Sequence, residues 1–198
     1  MAVPALALLA DIQWLGNSVG ERSLVEGLQL LLLAATSAAF FALAHRHPGE
    51  RRFAVLAAGF FICMGIRETD AAWDVVSDGL WQVLVATVAL AATAYAAADW
   101  RSTLRALGRF VSSRPGVLMI TALGLLLVYS RLLGMGVIWE GLLDEQYLRV
   151  FKNAVEETTE LLSYVLICAA GMTYAGRTMK PRYSRPELLP VRNDLEST

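Results

Sequence analysis

The stretch FFICMGIRETDAAWDVVSD, residues 60–78, decides how this sequence is read. It begins as lipid-compatible sequence and then places Arg67, Glu68, Asp70, Asp74 and Asp78 within twelve residues. A charge at the centre of a membrane helix costs about 2.5–3.5 kcal/mol on insertion scales, so such charges turn toward protein or water and away from lipid. The composition agrees with a membrane setting. Of 198 residues, 56% are hydrophobic and the mean hydropathy is +0.50, too apolar for a soluble domain of this size.

Outward from that stretch, five runs are long enough to cross a bilayer as helices, which takes about 20 mainly apolar residues. They lie near residues 24–44, 53–73, 80–98, 117–137 and 154–176. The expected fold is an all-α integral membrane protein of five transmembrane helices, with amphipathic helices in its connections. Basic residues set the orientation. The segments after the first, third and fifth runs hold 12 of the 17 Lys and Arg residues, among them Arg46, Arg51, Arg52, Arg101, Arg105, Arg109, Arg114, Arg177 and Lys180. The positive-inside rule places those segments in the cytoplasm, hence the N-terminus outside and the C-terminus inside a bacterial inner membrane or its equivalent.

Residues 1–23 are apolar but lack a positive n-region, and their hydrophobic run is too short to span. They read as an outer interfacial or re-entrant segment with Trp14 at headgroup level. Residues 24–176 form the transmembrane domain. Residues 177–198, with Pro181, Pro186 and Pro190 among charges, read as a disordered cytoplasmic tail. In the inner connection Trp100, Leu104, Leu107 and Val111 share a helical face and Arg101, Arg105 and Arg109 another, the pattern of a helix lying on an anionic leaflet. Leu143, Tyr147, Val150 and Phe151 make a similar stripe in the last outer connection. Small residues at Ala34/Ala38/Ala42 and Ala92/Ala96 have the spacing of close helix contacts, within one chain or between the subunits of a homo-oligomer or larger membrane complex.

Thirteen of the 18 acidic residues map to the outer half. Counting helical rise puts Arg67, Glu68, Arg131 and Glu160 at one depth on three helices, facing the bundle interior as a salt-bridge layer. Glu26, Asp70, Asp74, Glu156 and Glu157 form a rim above it, with Lys152 close by. Three cations against seven carboxylates leave an excess of four negative charges, which calls for water, protons or bound cations. Asp70, Asp74 and Asp78 stand four apart on one expected helical face, as do Lys152, Glu156 and Glu160. Oxygen donors without histidine or cysteine suit hard cations such as Ca²⁺, Mg²⁺ or Mn²⁺, and Asp70, Asp74 and Glu156 are the candidate metal ligands.

Other motifs are weaker. GNSVG at residues 16–20 fits a nucleophile elbow, yet it follows no strand and no histidine lies in the outer half. Cys63 and Cys168 sit in apolar helical sequence without metal-like spacing, and His45 and His47 are adjacent in a polar connection, so paired intramembrane haem ligands are excluded. EETTEL at residues 156–161 begins like the motif of membrane-embedded prenyl-protein proteases, but it has Leu161 where that family has arginine. The D-x₃-D-x₃-D spacing of Asp70, Asp74 and Asp78 resembles part of the metal site of the CDP-alcohol phosphotransferase family, without the D-G-x₂-A-R element that precedes it there. That resemblance implies a divalent-metal transferase acting on a lipid-linked phosphate. The charge pattern points first to a non-enzymatic protein whose outer carboxylate vestibule binds or conducts cations or protons, with Glu26, Glu68, Asp70, Asp74, Glu156, Glu157 and Glu160 as binding groups. Arg67, Arg131 and Lys152 are their counter-charges. A third expectation is an accessory subunit with a purely structural salt-bridge layer. Nothing in the sequence points to nucleic acid.

Overall fold

The hydrophobic runs fold as helices because a backbone in an apolar setting has to satisfy its hydrogen bonds within one segment. A computed structural model describes residues 24–137, 139 and 149–180. Among them the chain is helical and contains no strand. The helices are α1 (Leu24–Arg46), α2 (Arg51–Glu68), the short α3 (Asp70–Asp74), α4 (Leu80–Ala97), α5 (Trp100–Val111), α6 (Arg114–Leu133) and α7 (Arg149–Met179). The N-terminal segment 1–23, the tail beyond 180, and Leu143, Tyr147, Glu140, Asp144 and Glu145 of the last outer connection lie outside the described residues.

Three helices are long and apolar enough to cross a membrane: Val25–Arg46, Leu80–Ala97 and Arg114–Leu133. Their outward faces carry Leu31, Phe41, Val83, Leu90, Ile120, Leu127 and Val128, all exposed, as suits contact with lipid and not water. The helix α2 carries Arg67 and Glu68, and α7 carries Lys152, Glu156, Glu157 and Glu160. In packing order α4 lies on α2, α2 on α1, α1 on α7, and α7 on α6. An aromatic cluster fastens one end. The ring centroids of Phe53 and Phe110 are 5.1 Å apart, those of Phe110 and Tyr174 4.8 Å, and those of Phe40 and Phe53 6.0 Å, which ties together α1, α2, α5 and α7.

The small-residue spacing is used on one side only. A Cβ on Gly59 of α2 would stand 2.6 Å from the Cβ of Ala92, so α2 and α4 touch because position 59 has no side chain. Ala92 and Ala96 are buried, whereas Ala34 and Ala38 are exposed.

The helix α5 has three strips where the sequence shows two. Thr103, Ala106 and Phe110 are buried against the bundle, Trp100, Leu104, Leu107 and Val111 are exposed, and Arg101 and Arg105 occupy the remaining face. Asp99 caps its start by accepting a hydrogen bond from Ser102 N at 3.1 Å.

Candidate functional site

At the acidic end, α2, α6 and α7 surround a cavity of about 170 Å³ lined by Met64, Arg67, Glu68, Leu126, Leu127, Arg131 and Tyr164. Arg67, Glu68 and Arg131 thus meet as helical rise predicts, and Glu160 joins them through Arg131. Arg67 Nη1 lies 2.9 Å from Glu68 Oε1, and Arg131 Nη2 lies 3.7 Å from Glu160 Oε1. The four do not all turn inward, however. The carboxylates are largely buried while the Arg67 and Arg131 side chains are about half exposed. Long arginine stems let the guanidinium reach out from an anchor point that is itself in apolar surroundings.

Two neutral side chains complete this layer, and neither stands out in the sequence. Tyr164, 1% exposed, donates its hydroxyl hydrogen to Glu68 Oε1 at 2.9 Å. Ser130, fully buried, has one hydroxyl hydrogen for two acceptors, Leu126 O at 2.5 Å and Glu160 Oε1 at 3.3 Å. The local backbone explains its position. Leu125–Tyr129 is a π-helical turn in which Ser130 N donates to Leu125 O, five residues back. The extra residue in that turn rotates everything after it relative to a continuous α-helix, and such turns recur at functional sites. A hydroxyl residue alone signals nothing of this kind, so composition and spacing do not single out Ser130.

The rim is divided. Lys152 Nζ lies 3.3 Å from Glu156 Oε2 and donates to Gly134 O at 3.0 Å, bringing the start of α7 onto the end of α6. Glu157 turns the other way and accepts from Gln29 Nε2 of α1 at 3.3 Å. Glu26, on the same helix as Gln29, is half-buried. The expected aspartate ladder is not one helix face. The helix α2 stops at Glu68, where Thr69 leaves helical geometry; its hydroxyl contacts Gly65 O and Ile66 O. Only the five residues Asp70–Asp74 then resume a helix, and Asp78 lies in the turn beyond. Asp74 Oδ1 accepts from Gly79 N at 2.9 Å, where Gly79 has φ 73°, a left-handed conformation suited to glycine. Asp70 Oδ1 accepts from the adjacent Ala71 N at 2.6 Å. Among the described residues no group of three or more His, Cys, Asp or Glu side chains is placed to hold a metal ion.

A second buried carboxylate, absent from the sequence-based candidates, lies at the opposite end. Glu50, 6% exposed, accepts from Arg109 Nε at 2.9 Å, lies 2.7 Å from Arg109 Nη2, and accepts from Tyr174 Oη at 3.2 Å. Glu50 and Glu160 are equally buried and differently held. Glu50 has two short charge-assisted contacts of the strong kind, about 2.7–2.9 Å. Glu160 has two long ones, both on Oε1, and among the described residues neither donor reaches Oε2. A tightly forked carboxylate is a structural ion pair. A loosely held one, linked to the cavity through Arg131, has coordination capacity left for a proton or cation.

No known protein family, characterised protein or solved structure matches this chain.

Proposed function

We propose that the carboxylates gathered at this end of the bundle bind or pass protons or cations, with Glu160 and Glu68 as the central groups. On this reading the chain crosses the membrane five times, α2 and α7 included, and the acidic end faces outward. The observation that carries it is the loose hold on Glu160. A carboxylate 8% exposed, served by a 3.3 Å hydroxyl contact and a 3.7 Å ion pair, is under-coordinated for its burial. Glu156, Glu157 and Glu26 add negative charge above it with Lys152 as the cation on the same helix, so the local field favours cation entry. Arg67 and Arg131, half exposed, act as fixed counter-charges.

The test is flux in liposomes carrying the purified protein under a pH or K⁺ gradient. Glu160→Gln abolishes flux and leaves folding intact, whereas flux equal to the unsubstituted protein removes Glu160 from the mechanism.

One observation favours a second reading, an accessory subunit with a structural charge layer. Among the described residues every buried side-chain nitrogen or oxygen has a hydrogen-bond partner. That reading requires Glu68→Ala to lower thermal stability by the cost of orphaning a buried charge network, about 3–5 kcal/mol in soluble proteins, with no ion shifting the melt.

A further inference from the structure

A second hollow lies away from the Glu68/Glu160 layer. About 690 Å³ in volume, it opens at the end that bears the basic connections and includes Glu50, Arg109, Arg114, Tyr174, Arg177 and Lys180 in its lining. Four permanent cations from three different elements meet there with one carboxylate, and that carboxylate is already committed. Glu50 receives two Arg109 contacts on Oε1 and the Tyr174 hydroxyl on Oε2. Arg109 is held in place by this fork and by its donation to Gly49 O at 3.2 Å, while about half of its side chain stays exposed. The hollow therefore has a net charge of about three positive, with one arginine pre-oriented by a buried partner. Pre-orientation lowers the entropy lost when a guanidinium engages an anion.

We infer that this hollow binds a phosphate-bearing anion. Planar guanidinium groups match phosphate oxygens in pairs, and four cations exceed what a single carboxylate ligand would need. The side chains carry the site and the start of α6 does not. Ser113 Oγ already accepts from Gly116 N at 3.1 Å, and Pro115 has no N–H to offer. Read as an interfacial helix, α5, which supplies Arg109 and exposes Trp100, Leu104, Leu107 and Val111, sets the hollow at headgroup depth. A lipid headgroup and a soluble phosphate compound share the chemistry. Proximity to that exposed apolar strip favours the headgroup.

Native mass spectrometry of the detergent-purified full chain separates the sources, with phosphatidic acid, phosphatidylcholine of the same acyl chains, and inorganic pyrophosphate as probes. The unsubstituted protein retains phosphatidic acid in preference to phosphatidylcholine. Arg114→Gln/Arg177→Gln weakens that retention by roughly tenfold for each charge-assisted bond lost. Arg114→Lys/Arg177→Lys, which keeps the charge and guards against a folding artefact, retains most of it. Arg101→Gln/Arg105→Gln, on α5 but outside the hollow, leaves it unchanged. Displacement of phosphatidic acid by pyrophosphate supports the site and assigns it to soluble phosphates as well. Persistence against pyrophosphate supports the site and assigns it to the headgroup. Equal retention of the two lipids, or equal loss in the Arg101/Arg105 variant, overturns the inference.

Discussion

Replacing Glu50 separates a structural carboxylate from a functional one. In Glu50→Ala the three contacts at 2.7, 2.9 and 3.2 Å disappear together. Arg109, about half exposed, is rehydrated, so the ion pair itself contributes no more than about 1 kcal/mol. Tyr174 fares worse, because its ring is held against Phe53 and Phe110 and its hydroxyl loses the Glu50 acceptor. Losing the partner of a largely buried hydroxyl costs about 1–3 kcal/mol. The backbone adds little, since Glu50 precedes α2 without a side-chain capping bond. The sum is about 1–4 kcal/mol, and at about 2–4 °C per kcal/mol for a chain of this size the melting temperature falls by roughly 2–16 °C. Glu50→Gln keeps the shape and an acceptor for Arg109, and its amide can donate to Tyr174, so the loss is about 1 kcal/mol. The assay is thermal unfolding of detergent-purified protein followed by near-ultraviolet circular dichroism. A Glu50→Ala melt within about 1 °C of the unsubstituted protein, or Glu50→Gln as damaging as Glu50→Ala, refutes the reasoning.

Gly59→Ala forces a methyl group to 2.6 Å from the Ala92 Cβ, so α4 has to move off α2; the expected loss is about 1–3 kcal/mol, and Gly59→Ala/Ala92→Gly should recover part of it in the same melt. Tyr164→Phe removes the 2.9 Å donor to Glu68 and should cost about 1.5–3 kcal/mol, whereas a neutral melt would show that water replaces the hydroxyl. Under the proposed orientation, Asp78→Cys in an otherwise cysteine-free chain reacts with a membrane-impermeant thiol reagent added outside intact cells, and Ser112→Cys does not; the reverse pattern inverts the topology.

Helix placement was largely legible from hydropathy. The runs near 24–44, 80–98 and 117–137 correspond to Leu24–Arg46, Leu80–Ala97 and Arg114–Leu133, because twenty apolar residues leave a chain few alternatives. Ends set by single hydrogen bonds were not legible. The backbone leaves helical geometry at Thr69, which breaks the Asp70/Asp74/Asp78 ladder that regular spacing implies. At the site, charge spacing anticipated Arg67 with Glu68, Arg131 near Glu160, and Lys152 with Glu156. It missed Ser130, aimed by a π-turn that leaves no mark in composition, and Tyr164 and Gln29, whose partners lie on other helices. Glu50 escaped because it sits among the basic residues of a connection, where an acid reads as solvated; only the fold brings Arg109 and Tyr174 around it.

The proposed function requires Glu160 to be held loosely enough to take up a proton or cation while Glu50 is not. Infrared difference spectroscopy of the protein in lipid, recorded across a pH step and a K⁺ step, reads carboxylate change directly. A carboxyl band that appears in the unsubstituted protein, vanishes in Glu160→Gln and persists in Glu50→Gln supports the claim. A spectrum unchanged by Glu160→Gln contradicts it.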